Sequence, residues 1–90
     1  MPYVYIVECA DGSLYTGWTV DVEQRVKVHN AGRGARYTRM HGPVKLVYAE
    51  EHPDRVAAQK RELEIKHWPR ERKLKLIRDQ GSVNQRSVNR

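Results

Sequence analysis

Tyrosine, glycine, arginine and histidine recur at short, ordered spacings near the start of this chain. In "LYTGWTVDVEQR" (residues 14–25), Tyr15 and Gly17 are followed eight residues later by Arg25, and His29 comes four residues after that. Tyr3 and Tyr5 precede them in "YVYIVEC". These side chains suit work on a phosphate. Arginine offers a planar, permanently charged fork for phosphate oxygens. A phenol exchanges protons near neutrality only if a nearby cation lowers its pKa from about 10. Residues 25 and 29 share one helix face, so His29 is placed to take or relay a proton, or to orient a tyrosine. Each residue also has an ordinary use: a strand tyrosine packs, a helix arginine is solvated, a glycine ends a strand, and a histidine sits at a surface or cap. The ordered spacing is the argument against four coincidences.

A second cluster is built for binding. "GRGARYTRMHGP" holds Arg33, Arg36 and Arg39 with Tyr37 between them. Glycines let backbone approach a phosphate, arginines neutralise it, and tyrosine stacks on an unpaired base. A solvated loop is the plain alternative. Farther along, Arg55, Lys66 and other basic residues extend a possible phosphate track, although acids interleave many of them. The net charge of +6 over 90 residues points to an anionic partner. A membrane surface fits poorly, because no stretch pairs a basic face with large apolar residues. No apolar run approaches the roughly 18 residues of a membrane span, and there is no signal-like N-terminus. The one cysteine, Cys9, excludes an intrachain disulfide and suits a cytoplasmic setting. Cys9 and the four histidines form no zinc pattern.

The elements that must position these residues follow from periodicity. "YVYIVEC", "SLYTGW" and "VKLVYAE" read as strands. "DVEQRVKVHNAG" reads as a helix, with Asp21 as N-cap, Gly32 as stop, and Val22, Val26 and Val28 as a thin apolar face. "HPDRVAAQKRELEIKHW" reads as a second helix starting near Pro53 or Asp54, and "PRERKLKLIRDQ" as a third with proline in its first turn. The order ββαβαα predicts an α+β fold, a small antiparallel three-stranded sheet flanked by helices. Residues 1–80 form the expected domain, and the polar 81–90 a disordered tail.

Parity in the first hairpin decides which tyrosines meet. A two-residue loop, Asp11-Gly12, puts Tyr5 and Tyr15 on opposite faces. A three-residue loop, Ala10-Asp11-Gly12, sets Tyr5 opposite Gly17 and Val7 opposite Tyr15, so that Tyr3, Tyr5 and Tyr15 share a face. The second register is favoured, because it puts glycine at the third loop position, where a left-handed residue is needed.

In this order the residues resemble the GIY-YIG nuclease family. Tyr3-Val4-Tyr5 stands for Gly-Ile-Tyr and Tyr15-Thr16-Gly17 for Tyr-Ile-Gly. Arg25, His29 and Glu62, the last in "AAQKRELEIK", stand for the helix arginine, the following Tyr or His, and the metal-binding glutamate. The resemblance covers about residues 3–78 and is nearest to small stand-alone bacterial members of the UPF0213 type. Two positions depart from it. Tyr3 replaces the first motif's glycine, and Leu74 stands where larger members carry asparagine. Periodicity alone does not separate Glu62 from Glu64, since they flank opposite edges of the face made by Ala57, Ala58, Ile65 and Trp68. The choice of Glu62 comes from the resemblance.

What the resemblance implies is a one-metal endonuclease. Tyr5, Tyr15, Arg25, His29 and Glu62 would be catalytic, and Glu62 would hold Mg²⁺ or Mn²⁺. Gly17, Arg33, Arg36, Tyr37, Arg39 and Lys66 would touch nucleic acid. The general base stays open among Tyr5, Tyr15 and His29. DNA is the expected partner, single-stranded or branched for want of a target-recognition domain, with Tyr37, Trp18 and Trp68 available to stack. A monomer is favoured. The alternatives are a nucleic-acid-binding module of the same fold that does not cut, and a protein-interaction domain whose basic surface aids solubility.

Overall fold

The computed structural model describes residues 1–33 and 42–79. Strands β1 (Tyr3–Cys9) and β2 (Leu14–Thr19) precede helix α1 (Val22–Asn30). Strand β3 (Val44–Glu51) is followed by α2 (Arg55–Lys66) and α3 (Arg70–Asp79). The antiparallel sheet has the order β2-β1-β3, so ββαβαα is the observed order. Arg36, Tyr37, Arg39 and the tail 81–90 lie outside the described residues.

The hairpin uses the three-residue loop. The Cys9 N–H donates to Ser13 O at 2.8 Å, and Gly12 takes φ +89°, a conformation most side chains resist. Asp11 braces the turn by accepting from the Ser13 backbone N–H and hydroxyl. Tyr5 therefore pairs with Gly17, and Val7 with Tyr15. Because side chains alternate along a strand, this register sends Tyr5, Val7 and Cys9 to one face and Val4 and Ile6 to the other. Both faces are covered. Val4 and Ile6 pack with Tyr48 of β3 and with Ala58 and Ile65 of α2. Tyr5, Val7 and Cys9 pack with Val44, Leu46 and Val26 of α1. A register shift between Ile6 and Val7 lets the neighbours Val47 and Tyr48 both pack in the α2-side cluster.

The helices are capped as their sequences predict. Asp21 accepts from the Gln24 N–H at 3.1 Å and Asp54 from the Ala57 N–H at 2.8 Å. The end of α1 is fixed by Asn30, whose amide both donates to Val44 O and accepts from Val44 N–H. The second helix ends at Lys66 rather than running on to Trp68. Trp68 packs against the core beneath Arg61 and Arg72, at 5.2 and 3.9 Å from the ring centroid, and so is not an open stacking platform.

A polar cluster fixes α2 against β3. Glu50 accepts from Tyr48 Oη and from Arg61 Nε at 2.8 Å, and lies 2.7 Å from His52 Nε2. Burial pushes the Glu50 carboxyl up, but the hydrogen bonds from Tyr48, Arg61 and His52 outweigh it and hold the group below its usual range. A depressed carboxyl pKa stabilises the fold above the unfolded value of about 4.3, and that contribution is lost as pH falls through the folded value. Glu50→Gln is expected to cost about 1–3 kcal/mol at pH 7. The gap from wild type should narrow below about pH 4, read by urea unfolding across pH.

Candidate active site

The site forms where β1 can reach past β2. Tyr5 is 2 % exposed and its ring lies across Gly17, the edge-strand residue opposite it. A Cβ on Gly17 would stand 2.6 Å from the Tyr5 hydroxyl and 2.8 Å from Cζ. Only a bare backbone lets the phenol cross there. Its hydroxyl thus reaches the rim of the sheet, where α2 arrives from the other face. The result is an open cavity of about 350 Å³ lined by Tyr5, Tyr15, Gly17, Arg25 and Glu62, with Trp18, Thr19, Val20 and Arg55 completing the wall.

Each polar member is held differently. His29 is 2 % exposed, the one buried residue of α1, and its Nε2 lies 2.9 Å from the Tyr5 hydroxyl. Tyr15 meets the same imidazole edge-on, with ring centroids 5.5 Å apart. Arg25, four residues before His29, is exposed and makes no ion pair or side-chain hydrogen bond among the described residues. Among the described residues, Glu62 is the only acid in the wall. Its side chain is 15 % exposed, and Oε2 lies 3.3 Å from Lys66 Nζ. Lys66 therefore stands beside the glutamate rather than on a separate surface. Glu64 turns away and pairs with Arg61 at 2.9 Å.

The electrostatics set the protonation states. Burial pushes the Tyr5 phenol well above its ordinary value. Tyr15 and Glu62 add to the rise, and Arg25 opposes it. Burial, then Arg25, pushes His29 below 6.5. A neutral imidazole thus faces a protonated phenol, and in the tautomer with its proton on Nδ1 it accepts the phenol's hydrogen bond. This neutrality has a stability consequence. The unfolded chain binds a proton at His29 that the folded chain resists, so folding stability is complete above about pH 6.5 and declines as pH falls below it. In urea unfolding at pH 7.5 and 5.5, His29→Gln should lose less stability on acidification than wild type.

The sequence points to most of this wall, but to Arg55 only as one of many basic residues on a phosphate track and not as a member of the cavity. Arg55 lies two helical turns before Glu62, and its guanidinium sits over Trp18 at 5.7 Å from the centroid. That i, i+7 spacing was the available signal. Arg33 is exposed just past α1 and does not line the cavity. Tyr3 lies in a separate pocket with Leu46 and Ala49, which shares only Val20 with the cavity.

No group of three or more His, Cys, Asp or Glu among the described residues is arranged to hold a metal. The one carboxylate fits a hard cation that keeps most of its waters and takes its remaining ligands from substrate.

The GIY-YIG catalytic domain model matches residues 1–75. The chain belongs to the GIY-YIG family. A UPF0213 protein of Haloquadratum walsbyi is 57% identical over 83 residues, covering 92% of this chain and 93% of that protein. One from Staphylococcus aureus is 53% identical over 77 residues, covering 86% and 94%. The solution NMR structure of a UPF0213 protein from Bacillus halodurans superposes with a TM-score of 0.58 at 48% identity, covering 90% of this chain and 87% of the other. GIY-YIG is a nuclease family whose members act on DNA. No helix among the described residues is long and apolar enough to cross a membrane.

Proposed function

We propose that this GIY-YIG protein is a divalent-metal-dependent endonuclease that hydrolyses DNA phosphodiester bonds, preferring single-stranded or branched DNA. The observation that carries the reading is the single cavity into which Tyr5, Tyr15, Arg25 and Glu62 converge from four different elements. Binding alone needs cations. It has no use for a carboxylate placed where a phosphate would sit, which argues against a module that only binds.

Arg25, unpaired among the described residues, takes the non-bridging oxygens of the scissile phosphate. Mg²⁺ or Mn²⁺ held by Glu62 would neutralise charge on the phosphate and on the leaving oxygen. The Tyr5–His29 hydrogen bond supports a relay. Water gives its proton to the Tyr5 oxygen as Tyr5 passes its own hydroxyl proton to His29 Nε2, so no free phenolate has to persist. Burial raises the Tyr5 phenol instead of a cation lowering it, so the relay replaces the free phenolate that a lowered pKa would have supplied. Tyr15, which lines the same cavity, positions the attacked phosphate.

The test is a metal-dependence assay on labelled single-stranded, duplex and flapped DNA of one sequence. Cleavage that needs Mg²⁺ or Mn²⁺ and favours the single-stranded or flapped form is expected. Equal cleavage in EDTA would remove the metal from the mechanism, and faster cutting of plain duplex would overturn the substrate preference.

A further inference from the structure

Between Glu62 of the cavity and the hairpin turn that leads into the edge strand β2 lies a group of cations. Three side chains make it. Lys66 stands one turn beyond Glu62. Lys73 of α3 borders a small pocket with Ser13, Leu14 and Arg70 at the start of β2. Arg70 donates from Nη1 to Gly12 O at 2.7 Å, which brings its guanidinium to the hairpin turn and leaves four further N–H donors.

Most cations on these helices already have a use. Lys75 and Arg78 pair with Asp79, Arg72 covers Trp68, and Arg61 is bound to Glu50 and Glu64. Lys73 is different: among the described residues it has no acidic partner. It is half-buried, and burial followed by the nearby charge of Lys66 pushes its ammonium below the usual range. Lys73 and Arg70 border this pocket, and no acid is among its described lining residues, which favours an anion there.

We propose that this edge seats the phosphate backbone of the substrate, with Lys66, Lys73 and Arg70 engaging successive phosphates of one single-stranded arm on one side of the cleaved bond. This rests on the endonuclease reading of the cavity. Gly17 lies four positions beyond Ser13, roughly 13 Å at the rise of a strand. That length accommodates about four nucleotides at the stacked rise of about 3.4 Å, or fewer if the strand is stretched. The cations form one file, which matches one backbone and not the two of a duplex.

The test is binding without cutting. Anisotropy of a labelled single-stranded oligonucleotide is followed against salt in EDTA with the full chain, and strand integrity is checked on a gel. Each lost phosphate contact should lower the log–log salt slope by about 0.7, so Lys73→Gln loses about 0.7 and Lys73→Gln/Arg70→Gln about 1.4. Affinity at low salt should fall several-fold, and Lys73→Arg should restore the slope. Lys45→Gln, an exposed change on the opposite edge strand, should leave it unchanged. A wild-type slope in Lys73→Gln, an equal loss in Lys45→Gln, or no measurable binding overturns the proposal. Equal Lys73 dependence with a duplex overturns the single-strand assignment. Cleavage is scored separately with Glu62→Ala. A dead Lys73 dependence with metal-dependent cutting intact sinks only the edge, and the converse sinks only the endonuclease.

Discussion

Glu62→Ala is expected to reduce strand cleavage by about 10³-fold or more while leaving DNA affinity within a few-fold of wild type. The two effects separate because of what lines the cavity. Among the described residues Glu62 is its only acid, whereas Arg25 and Arg55 are available to hold a phosphate. Removing a negative charge from beside a polyanion does not weaken binding electrostatically, and Lys66 is released from its 3.3 Å pairing to the same end. The fold should tolerate the change. The buried residues of α2 are Ala58 and Ile65, and alanine is the best helix former. Glu62→Gln keeps the size and removes the charge, so it should be nearly as inactive. Single-turnover cleavage, anisotropy and a thermal melt read the three quantities. Equal cutting by wild-type and mutant preparations would mean a contaminating nuclease. Loss of binding together with cleavage would make Glu62 a structural residue.

How legible was this site? The hairpin register was readable because strand periodicity is two: one loop residue more or less moves every side chain to the other face, and Gly12 marks the longer loop. The choice between Glu62 and Glu64 was not. It depends on how α2 is rotated on the sheet, which is set by Ala58 and Ile65 in the core and by the Arg61–Glu50 contact, both with partners far away in sequence. The buried face of α1 was also hidden. Its valines look like the packing stripe, yet His29 is the residue most deeply buried. It can be buried because Tyr5, 24 residues earlier, supplies a hydrogen bond at depth. Trp68 misled for a related reason: an aromatic at a helix end reads as available until the arginines that cover it are placed in space.

Gly17→Ala should lower both stability and activity, against the local preference of the strand. Propensity alone favours alanine there by roughly 0.5–1 kcal/mol, because glycine in a strand costs entropy. Sterics oppose it with more. The new methyl would sit 2.6 Å from the Tyr5 oxygen and 2.8 Å from a ring carbon, and the ring is buried and cannot swing freely into solvent. Overpacking of this kind costs about 1–3 kcal/mol, and displacing the hydroxyl from His29 leaves a buried polar group unsatisfied for a similar amount. A net loss of about 2–3 kcal/mol, or roughly 10–20 °C in Tm for a domain this small, is expected. Cleavage should fall about 10²-fold in the molecules that stay folded, because a displacement near 1 Å misaligns the relay. Tyr5→Phe supplies the cross-check. It removes the oxygen and so relieves the closest contact but not the one to the ring carbon. Gly17→Ala should therefore cost less in the Tyr5→Phe background, with a coupling of about 0.5–3 kcal/mol. Additive losses, or a Gly17→Ala protein as stable and active as wild type, would mean that the phenol does not cross the edge strand at Gly17. The meeting of Tyr5 with Glu62 would then need another explanation.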